Sequence, residues 1–233
     1  PSSVSVYCAA TRLEEHFYPN CLRYDCICLN TSESCVLSTT GIQRQIINSL
    51  DEVGPTALLN PTRLYHACVQ TGLVPLYMDA MGNIDQEDQR RYLLSVALEA
   101  RLSRFLKRCA HDWATGSHVG AGCTLTFLVD WCWKRAVDLK ENARELTAPL
   151  FTSSALPDRN VVRCLDHCVQ QLTQLTGLLD AVLTKCCNLV VPDALSEMEE
   201  KYKGVGCVSL YFQVVQWFLR VGLLHARLEA CDA

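Results

Sequence analysis

Residues 205–224 read VGCVSLYFQVVQWFLRVGLL. Nearly every side chain in this run is apolar, and Tyr211, Phe212, Trp217 and Phe218 lie within it. The main polar exceptions are Ser209, Gln213, Gln216 and Arg220, spaced four, three and four apart. That spacing gathers them into one narrow stripe of an α-helix. A helix that is apolar around most of its circumference is expected to lie among other helices. The run is also long enough to cross a bilayer, which takes roughly 20 apolar residues. Against a span stand Gln213, Gln216 and Arg220, since a mid-membrane Arg costs about 2.5–3.5 kcal/mol even on a lenient insertion scale. The densely charged residues 197–203 also lead straight into the run. The stretch therefore predicts the central helix of an all-helical domain and no transmembrane span.

The segment before it is the most regular in the chain. Val161, Leu165, Cys168, Leu172, Leu175, Leu179, Val182 and Cys186 step by four and three in alternation. This is about four heptads of a strict a/d seam and predicts a long helix over 158–187, broken at Pro192, with Asp193 capping the next. Earlier still, Leu125, Leu128, Cys132, Ala136, Leu139, Ala143 and Leu146 recur at three and four, predicting a helix from about Ala121 to Leu146 with Trp131 and Trp133 on its flanks. A loop is expected over 147–157.

Residues 84–114 read as a single long helix. Its acidic start (Asp85, Glu87, Asp88) and basic end (Lys107, Arg108) both complement the helix dipole. Its second half is two-faced: Leu98, Leu102, Phe105, Leu106, Cys109 and Trp113 form one stripe and Arg104, Lys107, Arg108 and His111 the other. Asn60-Pro61 opens a shorter helix that Gly72 closes. Residues 73–81 form a short apolar element interrupted by Pro75, and Gly82-Asn83 is a turn. Thr39 or Thr40 is expected to cap a helix carrying Ile42, Ile46, Ile47 and Leu50, which Val53-Gly54-Pro55 ends. A further helix is read over 4–17, stopped by Pro19.

These elements together predict an all-α, multi-helix bundle, with long antiparallel helices around a central apolar helix near 205–224. Residues 1–56 are expected to be a helical or irregular, Cys-rich segment lying on a bundle of residues 57–233, one domain overall. Any sheet is confined to a two-stranded piece within residues 20–40.

The chain has 233 residues, 49% hydrophobic and 20% charged, which suits a globular domain with a large core. Its net charge of −4 argues against a nucleic-acid binder. It begins at Pro1, which reads as a piece of a longer polypeptide. Fifteen cysteines, an odd number scattered along a chain of this length, do not make a disulfide framework. Cys109, Cys132, Cys168, Cys186 and Cys207 fall where helices place core residues, and a free Cys there acts as a small apolar side chain. That usage predicts reduced thiols and the cytoplasm or nucleus. The Asn30-Thr31-Ser32 triplet matches a glycosylation acceptor, a match common by chance.

Little in the sequence carries chemistry. His16, Cys21, Cys26, Cys28 and Cys35 are the densest candidate ligand cluster, and a zinc-supported module using the 21–35 cysteines is one alternative function. Zinc sites usually offer pairs separated by two to four residues. Here the gaps are Cys-x4-Cys-x-Cys-x6-Cys, so reduced cysteines without a metal are the expectation. Cys164, His167 and Cys168 are also close on one helix, but Cys168 belongs to the seam. No GxSxG, HExxH, P-loop or GxGxxG occurs, and Gly120-Ala121-Gly122 lacks a preceding strand. An enzyme with an unidentified cysteine nucleophile is the remaining alternative. No cofactor is expected.

The feature best suited to recognition is the basic side of the 84–114 helix, made by Arg101, Arg104, Lys107 and Arg108. Bases grouped this way ordinarily form a solvated face; as a recognition site they suit an acidic protein segment or a phosphorylated headgroup. No aromatic residue interleaves with them, which disfavours single-stranded nucleic acid. The sequence thus predicts a non-catalytic helical protein–protein interaction domain of a larger intracellular scaffold, adaptor or tethering protein.

Overall fold

The structure, a computed structural model, describes residues 25–76, 78, 84–116, 118–147, 159–186 and 192–221. It is an all-α helical bundle, 77% helical, with seven α-helices among the described residues and one small two-stranded sheet. The expected helix over 4–17, His16, Cys21, the Gly82-Asn83 turn and the 147–157 loop (beyond Thr147) lie outside the described residues. The side chains of Leu146, Cys186 and Asp193 do so too. By internal contacts the chain divides into two compact units, residues 1–105 and 106–233.

Among the described residues the first unit begins with a hairpin of strands β1 (Asp25–Leu29) and β2 (Ser34–Ser38), antiparallel and exposed throughout. Helix α1 (Ile42–Val53) follows. Neither Thr39 nor Thr40 caps it; Gly41 precedes it without a side-chain cap, and Gln45 instead donates to the Thr40 carbonyl at 2.8 Å. Ile46, Ile47 and Leu50 are buried, as the spacing predicts, while Ile42 reaches the surface. A short 3-10 turn (Gly54–Leu58) leads to α2 (Thr62–Gln70) and then α3 (Gln86–Glu99). Asp85 caps α3, its carboxylate accepting from the Asp88 N–H at 2.8 Å. Tyr65 and Tyr92 meet edge to face, 5.0 Å between centroids, at the centre of this unit. The Tyr92 hydroxyl donates to the Leu73 carbonyl at 2.8 Å, and the buried Arg90 donates from Nε to the Leu58 carbonyl at 2.9 Å. These bonds satisfy loop carbonyls that burial would otherwise leave without a partner.

The expected single helix over 84–114 is two helices. α3 ends at Glu99 and α4 (Ser103–Ala114) begins after a break at residues 100–102. The break has the hydrogen bonds of a Schellman motif: Leu102 N–H to the Ala97 carbonyl at 2.8 Å and Arg101 N–H to the Leu98 carbonyl at 3.1 Å. α2 ends the same way, with Leu73 N–H to Cys68 at 2.9 Å and Gly72 N–H to Val69 at 3.2 Å. The left-handed position is Gly72 (φ 70°) at the first site and Arg101 (φ 60°) at the second. Gly72 announces its helix end in the sequence; an Arg in that role does not.

The second unit contains the rest of α4, then α5 (Leu125–Thr147), α6 (Arg159–Cys186) and α7 (Pro192–Val221). α5 starts later than Ala121, because residues 119–121 form a 3-10 turn. The Thr124 hydroxyl accepts from the Phe127 N–H at 3.1 Å and fixes the true start. Along α6, Leu165, Cys168, Leu172, Leu175, Leu179 and Val182 are all buried, as the heptads predict. Asp130 of α5 meets Lys201 of α7, and Trp133 lies against Gly204, so α5 and α7 run in the same direction. Arg135 of α5 reaches Gln171 of α6, and Asp166 of α6 meets Gln216 and Arg220 of α7, so α6 runs against both. Burial works to lower the Lys201 ammonium pKa, but hydrogen bonds from Lys201 to Asp130 and Glu197, both 2.5 Å, outweigh it and hold the pKa above its usual value.

The central-helix expectation needs correction on one point. α7 is not enclosed over 205–221. Val205, Ser209, Phe212 and Val215 are buried, but Cys207, Leu210, Tyr211, Val214, Trp217, Phe218 and Val221 are exposed. An all-apolar helix does not say in its sequence which sides find neighbours, and here one side does. No helix among the described residues is long and apolar enough to cross a membrane.

Candidate partner-binding site

The candidate site is a property of one helix, α4, whose two sides differ in composition. Phe105, Leu106, Cys109, Ala110 and Trp113 are buried. Arg104, Lys107, Arg108 and His111 are exposed, as is Arg101 in the break before it. The spacing from Arg104 is three, four and seven, so these side chains share a stripe along the outer surface. Burial of the opposite stripe fixes the helix rotation and hence the direction of the bases. Among the described residues neither Arg104 nor Lys107 takes part in an ion pair. The expected residues Arg101, Arg104, Lys107 and Arg108 are therefore close in sequence and all exposed. What they bind is a separate question.

Arg101 holds a left-handed backbone, a conformation that costs a non-glycine residue about 1–2 kcal/mol. The chain carries a long base at a position where Gly fits without strain.

The cysteine cluster takes a definite form. Cys26 and Cys28 alternate along β1 and share a face; Cys35 lies directly opposite Cys28, on that same face. All three are exposed. Among the described residues no group of three or more His, Cys, Asp or Glu side chains is placed to hold a metal ion. Cys164 and Cys168 are buried beside each other, and the hydrogen bond that the Cys168 thiol makes to Cys164, then burial, pushes the Cys168 pKa up. Burial likewise pushes Cys68 up to about 12 and raises Cys109 and Cys132. A thiol held protonated is a poor nucleophile and a poor metal ligand, so these residues act as core side chains. Cys207, expected in the core, is exposed.

Two features escaped the sequence reading. Arg135 is buried in the second unit, donating from Nη2 to Gln171 Oε1 at 3.1 Å, and Gln171 in turn reaches His167 at 3.0 Å. Gln171 sits between seam positions 168 and 172, and only its place at the edge of that stripe hints at burial. The other is the exposed side of α7, whose signal lies in the three-and-four steps of Cys207, Leu210, Val214, Trp217 and Val221.

No known protein family profile matches the chain. Two curated proteins are similar to it. Protein ELYS of Homo sapiens is 27% identical over 214 residues, covering 91% of this chain and 9% of that protein. Protein ELYS of Xenopus laevis is 25% identical over 214 residues, again 91% of this chain and 9% of that protein. The chain thus spans about 9% of the length of the curated relatives it matches.

Proposed function

We propose that this chain is a non-catalytic helical protein–protein interaction domain, one module of a larger scaffold, adaptor or tethering protein, and that Arg101, Arg104, Lys107 and Arg108 dock an acidic segment of a partner. The observation that carries this reading is the orientation of α4. Its apolar side is buried, which leaves the bases directed outward on a helix that cannot easily rotate. A preorganised cationic stripe binds an acidic segment without first ordering itself, which a flexible basic tail must do. The left-handed Arg101 adds a strained base at the same surface. The similarity to a small fraction of a much longer protein supports the reading as a module.

The test is affinity capture from cell lysate with the wild-type chain and with Arg104→Glu/Arg108→Glu, followed by identification of the retained proteins. A partner lost by the double variant is expected to carry a run of Asp and Glu at its contact. Equal retention by both chains contradicts the site.

We place the protein in the cytoplasm or nucleus, and its thiols are reduced. The support is that none of the ten described cysteines is bridged and that six of them are buried, five within helices. Counting thiols in denatured, unreduced protein checks it. The count expected is close to the full complement of 15; three or more disulfides would move the protein to an oxidising compartment.

A further inference from the structure

We propose that the outer side of α7 is a self-association seam, on which a second copy of this chain lays the same helix antiparallel. The surface is distinct from the basic stripe of α4 and goes beyond the interaction role given to it.

The buried row of α7 (Val205, Ser209, Phe212, Val215) is the side turned toward α5 and α6. A second apolar row, Cys207, Leu210, Val214, Trp217 and Val221, steps by three, four, three and four on another side. That is a heptad a/d seam over two heptads, and Tyr211 and Phe218 widen it at the next position after each d residue. A helix needs one such row to join its own bundle. α7 has two, and the second is open: Leu210 is 61% exposed, Trp217 53% and Val221 52%.

The area fits a two-fold pair. Aromatic side chains bury roughly 150–250 Å² each, so three half-exposed aromatics with Leu210, Val214 and Val221 expose on the order of 500–600 Å². A contiguous apolar patch of that size is at the top of what a soluble monomer carries, about 300–600 Å². Two copies covering each other would remove about 1,000–1,200 Å², near the lower bound of specific interfaces.

Charge favours a copy over a charged partner helix. Between residues 204 and 221 the only ionised side chain is Arg220, and it is drawn to Asp166 of α6, which also accepts from Gln216. Nothing on the seam would complement an acidic or a basic helix, and no like charges confront each other across a two-fold axis. The side chains are also self-complementary. With the axis at Val214, Leu210 faces Phe218, Tyr211 faces Trp217 and Cys207 faces Val221 of the other copy. Such an interface is closed and isologous, so association stops at two.

Size-exclusion chromatography with light scattering on the 233-residue chain tests this. The expected result is twice the chain mass for the wild type and for Arg104→Glu/Arg108→Glu. Leu210→Glu and Trp217→Glu should each return the single-chain mass with unchanged helical circular dichroism. In a Val221→Cys chain, mild oxidation with diamide should link Cys207 of one copy to position 221 of the other. Three outcomes overturn the proposal. One is a wild-type chain that stays at single mass at the highest attainable concentration, which would leave this side of α7 to a different protein or to another part of a longer polypeptide. Another is a pair of Glu variants that remain dimeric or lose their helix. The third is a cross-link joining Cys207 to Cys207, which an antiparallel pair centred on Val214 does not allow. None of these results alters the reading of α4, because no seam residue lies on that helix.

Discussion

At Arg101 the backbone and the side chain pull in different directions. The Schellman geometry at residues 100–102 calls for a left-handed residue, and an L-residue with a Cβ adopts that conformation at a cost of about 1–2 kcal/mol. Gly removes that strain but adds freedom to the unfolded chain, worth roughly 0.5–1 kcal/mol. Arg101→Gly is therefore expected to stabilise the protein slightly, by up to about 1 kcal/mol in urea denaturation, while weakening the binding of an acidic partner. Lower stability would show that the Arg101 side chain holds the α3–α4 junction together. Gly204 is the opposite case. A Cβ there would meet Cζ3 of Trp133 at 2.5 Å, whereas a Cβ at Gly206, two residues on, meets nothing within 4 Å. Gly→Ala in a helix interior normally gains about 0.5–1 kcal/mol. Gly206→Ala should show that gain. Gly204→Ala should instead lose about 1–3 kcal/mol through overpacking and shift the tryptophan fluorescence. If both substitutions stabilise, Trp133 does not rest on α7.

At the scale of the element, the reading from sequence was most successful where one period dominates. The α6 heptads place Leu172 and Leu175 in the core, and both are fully buried. Leu172→Ala should cost about 2–5 kcal/mol, the range for truncating a buried Leu. A loss below about 0.5 kcal/mol would mean the seam faces solvent. The one sheet among the described residues, at 25–38, falls within the 20–40 limit set for any strand pairing. Where the sequence misled, the cause is specific. The α3–α4 break contains neither Gly nor Pro, so periodicity ran straight through it. α7 is apolar on several sides, and hydrophobicity alone cannot distinguish a side buried in its own bundle from one left open. Arg135 drew no notice in the sequence, yet the chain buries it against Gln171. A polar residue among seam positions is the only local sign, and it does not name its partner.

At the scale of the whole molecule, the helical periodicities indicated an all-α bundle, and the structure agrees. The exposure of the candidate residues was legible because α4 is strongly two-faced: once the side holding Phe105, Cys109 and Trp113 is buried, Arg104, Lys107 and Arg108 must point outward. The partner was not legible, since a cationic stripe specifies sign and spacing but no identity. The role proposed for this stripe is to bind acidic protein segments. Its most direct measurement is fluorescence anisotropy of a labelled peptide rich in Asp and Glu, titrated with wild type and with Arg104→Glu/Arg108→Glu. Salt is raised from about 0.1 M to about 1 M, which shrinks the screening length from about 10 Å to about 3 Å. The wild type is expected to bind, its binding to weaken steadily with salt, and the double variant to lose it by at least about tenfold, or 1.4 kcal/mol, with its urea midpoint unchanged. Binding indifferent to both salt and charge reversal, or a double variant that unfolds, would contradict it.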